Sequence, residues 1–131
     1  MKGSYILVIH IPEIIEITIG ALGNVLFDEG FYLYIGSAMG GYGSNTLENR
    51  VKRHISSSNN KKTHWHIDYL LNYEKSIITQ LYLIPSLYRL ECIIAKEIMD
   101  FSDDIIEDFG SSDCMCDSHL FYFQQFKEFR Y

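Results

Sequence analysis

The sequence predicts an α/β protein of the α+β type, with a small central antiparallel or mixed β-sheet flanked by about three helices. Three observations lead there. Runs dense in β-branched and aromatic residues crowd the N-terminal third. Two stretches with helical spacing follow, and then a strand, a third helix and a last aromatic strand complete the order. Strand pairs early in the chain with helices after them favour hairpin-built sheets over parallel crossovers.

Residues 4–11 form the first strand, which Pro12 stops. Residues 14–19 alternate apolar and polar side chains, with Glu16 and Thr18 on one face, and the two segments read together as a hairpin. Residues 20–30 are turn-rich around a short apolar stretch, 25–27. Residues 31–36 form a third strong strand, in which Tyr32 and Tyr34 share a face. After the glycine loop of Gly40, Gly41 and Gly43, Asn45 and Glu48 stand at capping-box spacing and open a helix to about residue 57. Leu47, Val51 and Ile55 make its apolar stripe, Arg50 and His54 sit one turn apart at the edge, and Lys52 and Arg53 point elsewhere. Thr63 caps a second helix running from His64 to about residue 73. Residues 77–84 form a strand ending at Pro85, and Ser86 caps a third helix to about residue 101. Its apolar stripe is Leu87, Leu90, Ile94, Ile98 and Phe101, and Glu91 falls on that side, one turn from Leu87 and Ile94. Residues 120–123 form a last strand, and the final residues a short amphipathic helix.

A length of 131 residues suits one domain spanning 1–131. No apolar run approaches the roughly 18 residues of a membrane span. The N-terminus leads straight into a strand without the pattern of a secretory signal, so the expected compartment is the cytoplasm. Cys92, Cys114 and Cys116 are odd in number, and two are separated by a single residue, which favours reduced thiols over a disulfide framework. The net charge of −6 opposes non-specific polyanion binding, yet it is unevenly spread. Residues 49–66 carry Arg50, Lys52, Arg53, Lys61 and Lys62 with three histidines and no acid, whereas residues 97–117 carry eight acids and no Lys or Arg. One segment can therefore meet nucleic acid while the rest repels it, although two ordinary solvated faces have the same composition.

Four elements in order carry a family resemblance. Gly3-Ser4-Tyr5 lies on the first strand and Tyr34-Ile35-Gly36 on the third. Arg50 follows in Asn49-Arg50-Val51-Lys52-Arg53-His54, and Glu91 lies on the third helix. Together they resemble the two tyrosine motifs, the arginine helix and the metal-binding glutamate of GIY-YIG nucleases. Further segments, His64-Trp65-His66-Ile67-Asp68-Tyr69-Leu70-Leu71, Glu91-Cys92, Gly110-Ser111-Ser112-Asp113-Cys114 and Ser118-His119-Leu120, are similar to an uncharacterised prokaryotic branch of that superfamily.

The resemblance implies a GIY-YIG-like fold and a metal-dependent endonuclease acting on nucleic acid, DNA before RNA, in repair or processing. It implies Mg²⁺ or Mn²⁺ at Glu91, Arg50 on the phosphate, Tyr5 as general base or water-orienting group, Tyr34 aligning water or phosphate, and His54 as proton carrier or hydrogen-bond donor to the phosphate. Such chemistry needs an activated water and a cation against the phosphate, and a hard divalent ion often uses one carboxylate plus substrate oxygens. Lys52, Arg53, Lys61 and Lys62 are the candidate nucleic-acid contacts, and a protein partner or a homodimer is a further expectation. An extra strand pair separates the two tyrosine motifs, so Tyr32 is a stand-in candidate for Tyr5. Ser37 stands where many relatives carry lysine, and Ser111, Ser112 and Asp113 where many carry a late asparagine.

Two other readings stay beside the enzyme: a nucleic-acid-binding module with weak catalysis, and a zinc-stabilised interaction domain. His64, His66, Cys114, Cys116 and His119 are zinc-type ligands, although their spacing is not that of a zinc finger.

Overall fold

The computed structural model describes residues 1–56, 65–111 and 116–129. The elements run β1 (Gly3–Ile11), β2 (Ile15–Thr18), β3 (Asn24–Phe27), β4 (Gly30–Ala38), α1 (Leu47–Ile55), α2 (His66–Leu71), β5 (Ile77–Pro85), α3 (Glu91–Phe101), β6 (Asp104–Ile105) and β7 (Leu120–Phe123). Five strands make one antiparallel sheet in the order β5-β1-β4-β7-β6, and β2 and β3 make a separate two-stranded ribbon. No helix of the described residues is long and apolar enough to cross a membrane.

The first two strands do not form the expected hairpin. β1 is buried along almost its whole length on both faces, so it needs a long apolar neighbour on each side. It finds β4 on one side, in unbroken register from Gly3 opposite Ala38 to Ile11 opposite Gly30, and β5 on the other. β2 has four residues and a single half-buried face, and it pairs instead with the equally short β3. The ribbon is thus an excursion between two strands that remain direct neighbours.

Alternation along β1 and β4 divides the core in two. Tyr5, Leu7, Ile9, Ile11, Tyr32 and Tyr34 face one layer, which is covered by α1, α2 and the ribbon through residues such as Leu47, Val51, Ile67, Leu70 and Phe27. Ile6, Val8, Leu33 and Ile35 face the other, covered by Ala95 and Ile98 of α3. Burying Leu47 and Val51 stabilises α1 by about 2 kcal/mol each, which matters because a nine-residue helix does not persist alone in water.

Several local expectations are corrected. Thr46, not Asn45, caps α1, its Oγ1 accepting from the Asn49 amide at 3.3 Å. His54 replaces Ile55 in the buried stripe of that helix, and Ile55 is exposed. The start of the second helix at Thr63 and His64 lies outside the described residues, and α2 ends at Leu71. Ser86 does not begin the third helix. Its backbone amide donates to Lys2 O and its hydroxyl accepts from the Tyr88 amide, which makes a turn, and α3 starts five residues later at Glu91. Leu87 and Phe101 are consequently exposed rather than core. Residues 124–129 are not helical. The Lys127 carbonyl, which a helix would use internally, accepts from the Gln80 side chain, and Phe126 and Phe129 stack edge to face back towards Tyr82 on β5.

Candidate active site

A cleft of about 410 Å³ opens where β1, β4, α1 and the first turn of α3 converge, and Tyr5, Tyr34, Arg50 and Glu91 all line it. The strand register explains the two tyrosines. Tyr5 lies opposite Gly36, and Tyr34 opposite Leu7 two positions along, so both side chains rise on the same face as diagonal neighbours. Their ring centroids are 6.3 Å apart. Tyr5 therefore faces the cleft itself, whereas Tyr32, the stand-in candidate, is not among the residues that line it. Tyr32 lies further along β4, where its hydroxyl donates to the Asp28 carbonyl at 2.8 Å. Gly36 is required opposite Tyr5, because a Cβ there would fall inside the tyrosine ring.

His54 is buried behind Tyr5, with Nε2 2.7 Å from the phenol oxygen. Burial pushes the Tyr5 hydroxyl well above its ordinary pKa, and the nearby Tyr34 and Glu91 add to the push, while Arg50 opposes it. Burial likewise raises Tyr34, again with Glu91 adding and Arg50 opposing. At neutral pH both are phenols, so Tyr5 handles a proton most readily by passing one to His54 rather than by standing as a phenolate.

Arg50 is held in place on several sides. Its Nη1 donates to the Ser37 carbonyl at 2.9 Å and its Nη2 to Asn45 Oδ1 at 2.9 Å, and its guanidinium carbon lies 4.7 Å from the Trp65 ring centroid. Arg53 stacks on the same indole at 4.5 Å and pairs in a fork with Asp68, at 2.9 and 3.0 Å. Arg53 thus points to the same wall as Arg50, not away from it. Asp68 is fully buried and also accepts from the Trp65 amide at 2.8 Å, which fixes the start of α2. Removing one partner of such a pair leaves a buried charge poorly compensated. Arg53→Ala is expected to lower stability by about 3 kcal/mol, read as a drop in the denaturation midpoint at constant slope. A midpoint shifted by no more than an exposed salt bridge would give would show that the pair does not brace the wall.

Glu91 is the first residue of α3, so its carboxylate sits at the helix end that carries the free amides and favours negative charge. Arg89 approaches it at 3.5 Å but is largely exposed. Among the described residues lining the cleft, Glu91 is the sole carboxylate. One carboxylate in an open polar cleft suits a hard divalent cation that keeps most of its water and takes its remaining oxygens from substrate. The residues present therefore fit such an ion.

Of the other sequence candidates, Lys52 is exposed on α1, whereas Lys61 and Lys62 lie outside the described residues. So do His64 and Cys114. His66 is not part of the cluster of Cys92, Cys116 and His119: its Nδ1 accepts from the Gly110 amide at 2.9 Å and its ring packs on Phe109. Burial holds this imidazole below its ordinary value of 6.5. The unfolded chain then binds the proton more readily than the folded one, so the contribution of His66 is full above that value and is lost as pH falls through it. On acidification from pH 7.5 to 5.5, wild type is expected to lose more stability than His66→Gln. The difference is no more than about 1 kcal/mol, given the partial exposure of the ring. Equal losses in thermal melts would show that the Gly110 contact does not depend on a neutral ring.

Sequence reading missed Cys92 as a partner of Cys116 and His119. The ligand atoms of these three lie within 4.8 Å of one another and could hold a metal ion. It also missed Arg89 and His119 as cleft residues. The one signal in the sequence was the adjacency of Cys92 to Glu91.

Comparison with curated proteins and with solved structures finds no match. The profile of the family described as Domain of unknown function DUF123 matches residues 4–130, from β1 through the aromatic tail, and the chain belongs to that family.

Proposed function

We propose that this protein is a divalent-metal-dependent endonuclease of the GIY-YIG type, hydrolysing phosphodiester bonds in nucleic acid, with DNA as its first substrate class. One observation carries the reading. Tyr5, Tyr34, Arg50 and Glu91, which are far apart in sequence, line one cleft, with His54 hydrogen-bonded behind Tyr5.

When bound at Glu91, Mg²⁺ or Mn²⁺ supplies positive charge against the phosphate oxygens and favours deprotonation of groups beside it. Arg50 presents a fixed cation to a phosphate oxygen, and its orientation costs little on binding because Ser37, Asn45 and Trp65 already hold it. Tyr5 accepts the proton of the attacking water at its phenol oxygen while handing its own proton to His54 Nε2. Tyr34 orients the water or the phosphate from the adjacent strand. Lys52 extends the positive edge of α1 towards the polyanion.

A binding module without turnover is the second reading. The observation favouring it is that both terminal nitrogens of Arg50 are already engaged by protein oxygens. The test uses labelled plain, nicked, flapped and branched DNA and single-stranded RNA, each with Mg²⁺, Mn²⁺ or chelator. Metal-dependent cutting supports the enzyme. Salt-sensitive binding without cutting moves the assignment to the binding module, and neither result with any substrate removes both readings.

A further inference from the structure

Cys92 lies on the first turn of α3, and Cys116 and His119 lie on the segment that leads into β7. The three come from two stretches of chain that are far apart in sequence. Their ligand atoms fall within 4.8 Å of one another, and Cys92 Sγ is 3.9 Å from His119 Nε2. Tetrahedral zinc with Zn–S near 2.3 Å and Zn–N near 2.1 Å places its ligand atoms about 3.5 to 3.8 Å apart. The existing spacing therefore needs to close by roughly 1 Å or less to grip such an ion.

The donor set is soft, two sulfurs and an imidazole, which selects zinc over the hard ions suited to Glu91. A hydrogen bond to the Gly110 backbone holds the His119 ring, the outer-shell support that metal-binding histidines commonly have. A depression of about 460 Å³, lined by Cys92, Cys116, Asp117 and Ser118 among others, gives an ion a path in from solvent.

We propose that Cys92, Cys116 and His119 form a zinc site that ties the first turn of α3 to the strand entering the sheet beside it. Both thiols lose their protons as the ion binds, and these three are the ligands that the described residues supply to its shell. The site adjoins the cleft, since Cys92 follows Glu91 in the chain and His119 lines both. Its role is to position the helix end that carries Glu91. This inference does not rest on nuclease activity.

The test is metal analysis of the wild-type protein purified under reducing conditions without chelator, followed by exchange into Co²⁺. The expected result is about one zinc per chain and, after exchange, the intense near-ultraviolet band of cobalt bound to thiolate. Cys92→Ser and Cys116→Ser are each expected to retain less than about a tenth of that zinc. The wild-type protein decides the question even where a variant folds poorly, because the cobalt band reports the thiolates directly. Metal-free protein without the band, iron or copper in place of zinc, or a Cys92–Cys116 disulfide overturns the proposal. Neither readout depends on cleavage, so this inference and the nuclease reading can fail separately.

Discussion

Glu91→Gln is expected to lower metal-dependent cleavage by at least about a thousandfold while leaving the fold intact. The substitution keeps the shape of the side chain and removes only its charge. The loss at the start of α3 is the favourable interaction with the helix end, about 0.5 kcal/mol, so the thermal midpoint should move by no more than a few degrees. The effect on chemistry is far larger, because no other described carboxylate lines the cleft to take over the cation. The variant also removes one of the charges that raise Tyr5 and Tyr34, so a lost rate cannot be blamed on tyrosines made harder to ionise. Single-turnover rates at saturating Mg²⁺ and Mn²⁺, beside thermal melts, make the measurement. Glu97→Gln, an exposed position further along α3, serves as the control that should cut at the wild-type rate. A Glu91→Gln rate within tenfold of wild type would remove Glu91 as the metal ligand.

The parts of this molecule legible in the sequence are those that local chemistry decides. β1 and β4 announce themselves as continuous apolar and aromatic runs because both their faces are buried. The α1 stripe shows in Leu47 and Val51, and the motifs of the resemblance pick out Tyr5, Tyr34, Arg50 and Glu91, which line one cleft. Strand pairing is non-local, and there the reading failed. Residues 4–11 and 14–19 are close in sequence and each looks like a strand, but a strand buried on both faces outcompetes a short one-sided neighbour for the long partners. That same fact decides whether Tyr5 meets Tyr34. The start of α3 was misplaced because Ser86 has two uses for its polar groups, and capping a helix is only one alternative to the turn that it makes. The thiol and imidazole cluster is not legible in spacing, since Cys92 and His119 meet only once β7 has joined the sheet and α3 has packed on it.

Arg50→Lys is the second large effect, and it separates charge from geometry. The substitution keeps the positive charge, so a role of Arg50 as a mere attractor of phosphate predicts almost no change. The structure gives Arg50 a more demanding place: two terminal nitrogens reach oxygens on separate segments, Ser37 at the end of β4 and Asn45 in the loop before α1, while the flat guanidinium stacks on Trp65. An ammonium is a point charge without a planar fork and cannot satisfy that geometry. The expected cost in stability is about 1 to 2 kcal/mol from the lost contacts. The expected cost in cleavage is about a hundredfold, carried by the rate at saturating substrate rather than by affinity. Binding of uncleaved DNA, followed by its salt dependence, should change little, because the number of cations that meet phosphate is unchanged. A lysine variant that cuts like wild type would reduce Arg50 to a wall residue and leave the phosphate to Arg89, the other arginine lining the cleft among the described residues. A variant that loses binding and rate together would place Arg50 in ground-state recognition of the phosphate.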